Sequence, residues 1–267
     1  MVATRWYHRP RRLTDNGLEA QINERERVRE EFQRTAATFG ERTAGRFDHM
    51  DVPGFARVKS GSTVVEVGAG TGNFLALFKD LAALLVAVDL TPEMLLSAKQ
   101  RHADLGLVVG DGARLPITSA AVDLACSAQM LHHVEDPVPI LKELARIAGS
   151  RGRVLIVDQL APDDSEQAQA MTELEKVRDP SHAVSRSRKE FQDLLGSSNI
   201  QILDEKIAEN RDWLSKWVGH GEFPPERVDA VRDFIARRGE ETGMEFEWDG
   251  DDASFTRRRI MLLGAPA

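Results

Sequence analysis

Residues 64–72 read Val-Val-Glu-Val-Gly-Ala-Gly-Thr-Gly, and no other stretch constrains the chain as much. An apolar run with one embedded acid, Glu66, stops at Gly68, Gly70 and Gly72. A helix-like stretch follows over 73–79. A strand that passes into a helix through glycines makes a backbone cradle for a ligand. Gly68 permits the tight turn, Gly70 lets backbone N–H groups approach a ligand, and Gly72 lets the helix pack near the strand.

The spacing excludes two common occupants of such loops. A dinucleotide loop reads G-x-G-x-x-G, and counting from Gly68 puts Asn73 at the third glycine. No Gly-Lys-Ser/Thr follows, so the loop is not a P-loop. Strand and helix signals then alternate. Strands are expected at 63–67, 84–88, 106–109, 122–127, 153–157, 200–207 and 256–264, and helices at 73–78, 92–102, 137–148, 165–177, 188–195 and 224–238. A helix or turn falls near 112–115. Thr91 stands as N-cap before Pro92, and Trp213 and Trp217 fall four apart on a helix. Such βαβα alternation requires a mostly parallel, doubly wound α/β sheet.

Two acids stand at strand ends. Asp89 comes seventeen residues after Gly72, where a carboxylate can accept both ribose hydroxyls of an adenosine. Asp111 closes the third strand in Val-Val-Gly-Asp-Gly-Ala. After the fourth strand the chain reads Ser127-Ala128-Gln129-Met130-Leu131-His132-His133-Val134-Glu135-Asp136, with Gly152 before the fifth.

The E-x-G-x-G-x-G loop together with these stretches resembles the class I S-adenosylmethionine (SAM)-dependent methyltransferases. The likeness is nearest to the small-molecule members of the ubiquinone/menaquinone-biosynthesis type, and it runs over about residues 35–160. It implies a Rossmann-like seven-stranded sheet whose last strand lies antiparallel beside the fifth. It implies SAM as cofactor, with S-adenosylhomocysteine as product. It carries cofactor contacts onto Glu66, Gly68, Gly70, Gly72, Asp89, Leu90, Met94, Asp111, Gly112, Ala113, Ser127 and Gln129. Asp111 would receive the adenine amino group, and Leu90, Met94 and Leu115 would sandwich the ring. Asp89 alone would suit NAD equally well; the acid on the third strand favours SAM. A mobile N-terminal helix would bring Phe39 and Arg42 to the site. Two departures stand out: His132-His133 replaces the Arg-Asn of the quinone C-methylating enzymes, and residues 148–152 lack the usual Pro-Gly-Gly.

The chain order suggests four parts: a basic arm and lid helices over 1–55, a SAM-binding core over 56–160, a cap insertion over 161–195, and the rest of the sheet over 196–267. Residues 1–14 carry Arg5, Arg9, Arg11 and Arg12 without an acid. Residues 161–195 break the alternation just where such a sheet opens its ligand crevice, so they are expected to cap the substrate. With 267 residues, 42% hydrophobic, the chain can bury a large core. A net charge of −8 argues against a nucleic-acid partner. No stretch is apolar enough to span a membrane and no secretory signal stands out, so a cytoplasmic monomer or homodimer is expected. The single Cys126 excludes cysteine-based base methylation and is expected to be buried and inert; no Asn/Asp-Pro-Pro-Tyr is present. Asp158 and Asp136 alone do not make a metal site.

The expected reaction is in-line transfer of the SAM methyl group to an O or N nucleophile of a small molecule. Paired His after the fourth strand and Asp after the fifth resemble the dyad proposed for some natural-product sugar O-methyltransferases. His132 is the expected base, Asp158 its orienter and His133 a supporting residue, with one helical turn joining Gln129 to His132. Loop hydrogen-bonding accounts for both His equally well. C-methylation of a quinone or activated ring remains a rival, as does a SAM-fold binding protein or cyclase.

Overall fold

Val, Leu and Ala fill the central strands on both faces, which suits strands buried between two helical layers. A computed structural model describes residues 15–218 and 223–267. The basic arm at 1–14 lies outside the described residues. The chain runs through α1 (Asp15–Arg42), α2 (Val52–Ala56), β1 (Ser62–Val67), β2 (Ala82–Asp89), α3 (Pro92–Arg101), β3 (Gly106–Val109), β4 (Leu124–Ala128), α4 (Val138–Ala148) and β5 (Arg153–Gln159). It continues through α5 (Ser165–Arg178), α6 (Arg188–Ser197), β6 (Ile200–Trp213), α7 (Leu214–Val218), α8 (Pro225–Arg238), β7 (Glu247–Asp249) and β8 (Asp252–Pro266).

The strands form one sheet in the order β3-β2-β1-β4-β5-β8-β6, with β7 added on β8. The pairs from β3 to β5 are parallel, and β8 runs antiparallel to both β5 and β6. Strand order reverses between β1 and β4, so the crevice outside their carboxyl ends is where this topology puts a ligand. One core face packs Leu75, Phe78, Leu95 and Ala98 against the sheet; the other packs Leu141, Leu144, Ile147 and Phe191. A third cluster joins α5, α7 and α8 through Leu174, Trp217, Val231 and Phe255. It sits where β6 and β8 outrun the rest of the sheet as a two-stranded ribbon of 14 and 15 residues.

Several local expectations are corrected. The helix expected over 73–78 is a 3₁₀ turn, Leu75–Phe78. The cradle glycines ahead of it are held in left-handed conformations, which a helix cannot continue. Residues 112–115 form a turn. The sixth strand runs on to Trp213 because β8 pairs with it throughout, so Trp213 ends a strand while Trp217 lies on α7. Thr91 occupies the N-cap position of α3 without a side-chain cap bond; the Asp89 Oδ1 accepts its N–H instead, at 2.8 Å. Gln129 and His132 do not share a helical turn, because Gln129 has φ +53° and only Leu131–His133 form a 3₁₀ turn. The eighth strand, β7, is three exposed residues with no apolar pattern to announce it.

Candidate active site

The glycine cradle is built as its spacing requires. Gly68, Gly70 and Gly72 have φ of +73°, +53° and +77°, the region that favours glycine. A Cβ on Gly68 would collide with the Met130 side chain at 2.3 Å, and one on Gly72 with Leu105 at 2.7 Å. At Gly70 the nearest protein atom is a Phe39 ring carbon at 3.8 Å, so a side chain there would point into open cavity.

That cavity holds about 750 Å³, within the range of cofactor sites. Gly68, Gly70, Glu66, Asp89, Leu90, Met94, Asp111, Gly112, Ala113, Gln129 and His133 all line it, and α1 closes it with Phe32 and Phe39; Gly72 does not, and packs toward Leu105 instead. Ser127 and Leu115 do not line it. Ser127 is buried in β4 with no partner for its Oγ among the described residues, and Leu115 packs into the core. Asp89 accepts the Gly70 N–H at 2.8 Å through its second oxygen, which ties strand end to cradle. Burial pushes the Asp89 carboxyl up against the pull of the Thr91 and Gly70 N–H groups. Burial, then the charge of Asp89, pushes Glu66 well above the usual carboxylate range, and its buried Oε2 has no partner among the described residues. Asp111 Oδ1 accepts the Ala113 N–H, while its other oxygen pairs with Arg25 of α1 at 3.1 Å. SAM fits these groups: carboxylates at two strand ends for adenosine, and an orphaned buried carboxyl oxygen for a cationic tail.

A second cavity of about 220 Å³ adjoins the first. The two share Phe32, Phe39, Arg46, Gln129 and His133 as walls. His132 lines only the smaller one. Its Nδ1 lies 2.5 Å from Asp158 Oδ1, with both side chains buried. An ionised carboxylate only accepts, so the Nδ1 N–H donates in this bond. Burial raises the Asp158 carboxyl, and the His132 charge and hydrogen bond outweigh it, so the group sits below its ordinary value. Gln159 N–H also donates to Asp158 Oδ1, at 2.7 Å.

His133 faces the other way in this cluster. Its Nδ1 donates to the Ser181 carbonyl at 3.2 Å, and Phe32 meets its ring edge-on. Burial, followed by the neighbouring His132 charge, holds it down to about 4, so it is neutral at pH 7. His182 stacks on His132 and is likewise held down to about 3, chiefly by burial. The segment after β5 reaches the smaller cavity through Arg178 and Asp179. Its helix α5 packs against α8 rather than over the cradle. Cys126 is buried, and burial raises its thiol well above the ordinary value.

Sequence reasoning missed the cationic wall of the smaller cavity, Arg46, Arg257 and Arg259. A signal was present: Arg257-Arg258-Arg259 interrupts an apolar strand, and strand alternation puts the outer two on one face.

Residues 65–156 match the family described as a methyltransferase domain. The uncharacterized methyltransferase YcgJ of Bacillus subtilis is 24% identical over 78% of this chain and 86% of its own length. Its crystal structure superposes with a TM-score of 0.70 at 23% identity, covering 79% of this chain and 94% of YcgJ. A Bacillus halodurans protein solved as a candidate methyltransferase gives a TM-score of 0.76 at 21% identity, over 82% of this chain and 98% of that one. The demethylmenaquinone methyltransferase of Paenarthrobacter aurescens is 31% identical, but over only 38% of this chain and 40% of the relative. Sheet order, cradle and the matched domain agree: this chain is a SAM-dependent methyltransferase of the class I fold.

Proposed function

We propose that the enzyme methylates an oxygen or nitrogen nucleophile of a small molecule held in the smaller cavity. In this reading the larger cavity holds SAM. Asp89 takes the ribose hydroxyls, Asp111 with Gly112 and Ala113 the adenine edge, Leu90 and Met94 its faces, and Glu66 the cationic tail. The bound cofactor supplies a sulfonium methyl group for in-line displacement. Gln129, His133 and Phe39 form the shared wall across which the nucleophile must reach, so they fix its line of approach. His132 Nε2 takes the nucleophile's proton, and Asp158 holds the ring and stabilises the imidazolium. The observation that carries the reading is the buried His132–Asp158 pair at 2.5 Å, whose His132 lines the smaller cavity.

The demethylmenaquinone relatives favour a second reading, methylation of a ring carbon. A metabolite screen with isotope-labelled SAM identifies the acceptor and separates the two. On that acceptor, His132→Ala and Asp158→Asn should each lower turnover by roughly 10²–10⁴-fold, the usual worth of general-base catalysis. Affinity for S-adenosylhomocysteine should stay near wild type. Full turnover by His132→Ala at pH 7 would reject the base.

A further inference from the structure

The smaller cavity is richer in positive charge than methyl transfer requires. Among the described residues its lining includes Arg42, Arg46, Arg178, Lys216, Arg257 and Arg259 against Glu31, Asp179 and Asp212. Three of these six cations are matched by carboxylates. Arg178 pairs with Glu175 at 2.9 Å, and Asp212 is held by Arg257 at 3.3 Å and Lys216 at 3.9 Å.

Arg259 is different. It is 3% exposed, and no carboxylate lies within ion-pair distance of it among the described residues. Among the described residues its side chain makes one hydrogen bond, from Nη1 to the Asn210 side-chain oxygen at 2.8 Å, and its buried Nε has no acceptor. Asp212 and Asp158 are the carboxylates whose charge reaches it, and both are engaged elsewhere, by Arg257 and His132. Burial and the charge of Arg257 push its guanidinium down to about 9, which still leaves it charged at pH 7. The Trp217 indole N–H, on the same cavity, is also buried with no acceptor among the described residues. A buried guanidinium lacking a carboxylate and an indole N–H lacking an acceptor are both costly. Both deficits have one sign: donors without acceptors. The planar guanidinium matches an oxyanion in geometry as well as charge.

We infer that the methyl acceptor carries an oxyanion, a carboxylate or a phosphate, which docks on Arg259 beside Arg257 and Trp217 while its nucleophile faces His132. The inference rests on the proposed function in assigning this cavity to the acceptor. Gln159 supports the placement: it is opposite Arg259 in the sheet and lines the smaller cavity together with Arg259 and His132. Arg46 lines both cavities and can serve the cofactor's own carboxylate, so it is no test of the idea.

Binding can be measured without turnover. The full chain, saturated with S-adenosylhomocysteine in a phosphate-free buffer, is titrated by calorimetry with benzoate, phenyl phosphate, benzamide and benzyl alcohol. One or both anions should bind at least tenfold more tightly than the neutral probes, and the preferred anion names the group. Arg259→Met should weaken that anion at least tenfold while S-adenosylhomocysteine affinity is retained. Asp212→Asn, which releases Arg257, should tighten it several-fold and decides the matter if Arg259→Met fails to fold. Neutral probes binding as well as the anions would overturn the inference. So would wild-type anion affinity in a folded Arg259→Met, or no gain in Asp212→Asn. His132→Ala should bind the anion normally, so an error about the base shows in turnover alone.

Discussion

Single residues in this protein do two things at once, and Asp89 is the plainest case. Its oxygens accept the Gly70 and Thr91 N–H groups, shaping the cradle, and still line the cofactor cavity. Asp89→Ala should weaken S-adenosylhomocysteine by roughly 1.5–3 kcal/mol, the scale of a charge-assisted hydrogen bond, as calorimetry would read. Gly70→Val should abolish binding, because the open space beside Gly70 is the cavity itself; undiminished heat of binding would refute that. These positions were legible in the sequence because each is fixed by backbone need: a positive φ at glycine, or an acid where a strand must stop. Arg259 was not legible in the same way. Its role depends on which carboxylates lie near it across β6 and β5, and no local spacing reports that.

At the scale of elements, α1 is tied down unevenly. Near its end, Asn73 Nδ2 donates to the Gly40 carbonyl at 2.8 Å and the Thr43 hydroxyl at 2.9 Å, beneath the cradle. Further toward its start it holds by surface contacts: Arg25 to Asp111, Gln33 to Glu93, and the Glu24 carboxylate accepting the Glu135 N–H. Exposed contacts of this kind contribute about 0.2–1 kcal/mol each. The helix should therefore open from its start and hinge near residues 40–43, as a lid does. Hydrogen exchange should slow over 24–39 when S-adenosylhomocysteine is added and change little at 40–43; equal rates with and without ligand would rule out a lid. The order of the seven longer strands was readable from periodicity. The length of β6 was not, since a polar, half-exposed strand persists only because β8 pairs with it.

Over the whole molecule, acid should be the weak side of stability. His133 and His182 are held neutral by burial, to about 4 and about 3. Between pH 6.5 and 4 the unfolded chain binds protons there that the folded chain does not, so stability falls as pH falls. For His133 the loss is ~3 kcal/mol, complete near pH 4. Below that, carboxylates held under their ordinary values, such as Asp158, add to the loss as they protonate. Denaturant midpoints across this range should show a shallower slope for His133→Gln, by about one proton. A slope unchanged by the substitution would mean that His133 titrates normally in the folded protein. One further consequence comes from β8, the last strand in the chain, lying between β5 and β6. Every residue lining the larger cavity lies at or before Ile140, whereas Arg257 and Arg259 lie in the last strand. As the chain emerges from the ribosome, every residue of the larger cavity is therefore made long before the cationic wall of the smaller one. Until β8 arrives, β5 keeps the unpaired edge Val154-Leu155-Ile156-Val157, the kind of surface chaperones and aggregates both seek. A chain cut short before β8 should therefore lack the cationic wall of the smaller cavity and keep that edge uncovered.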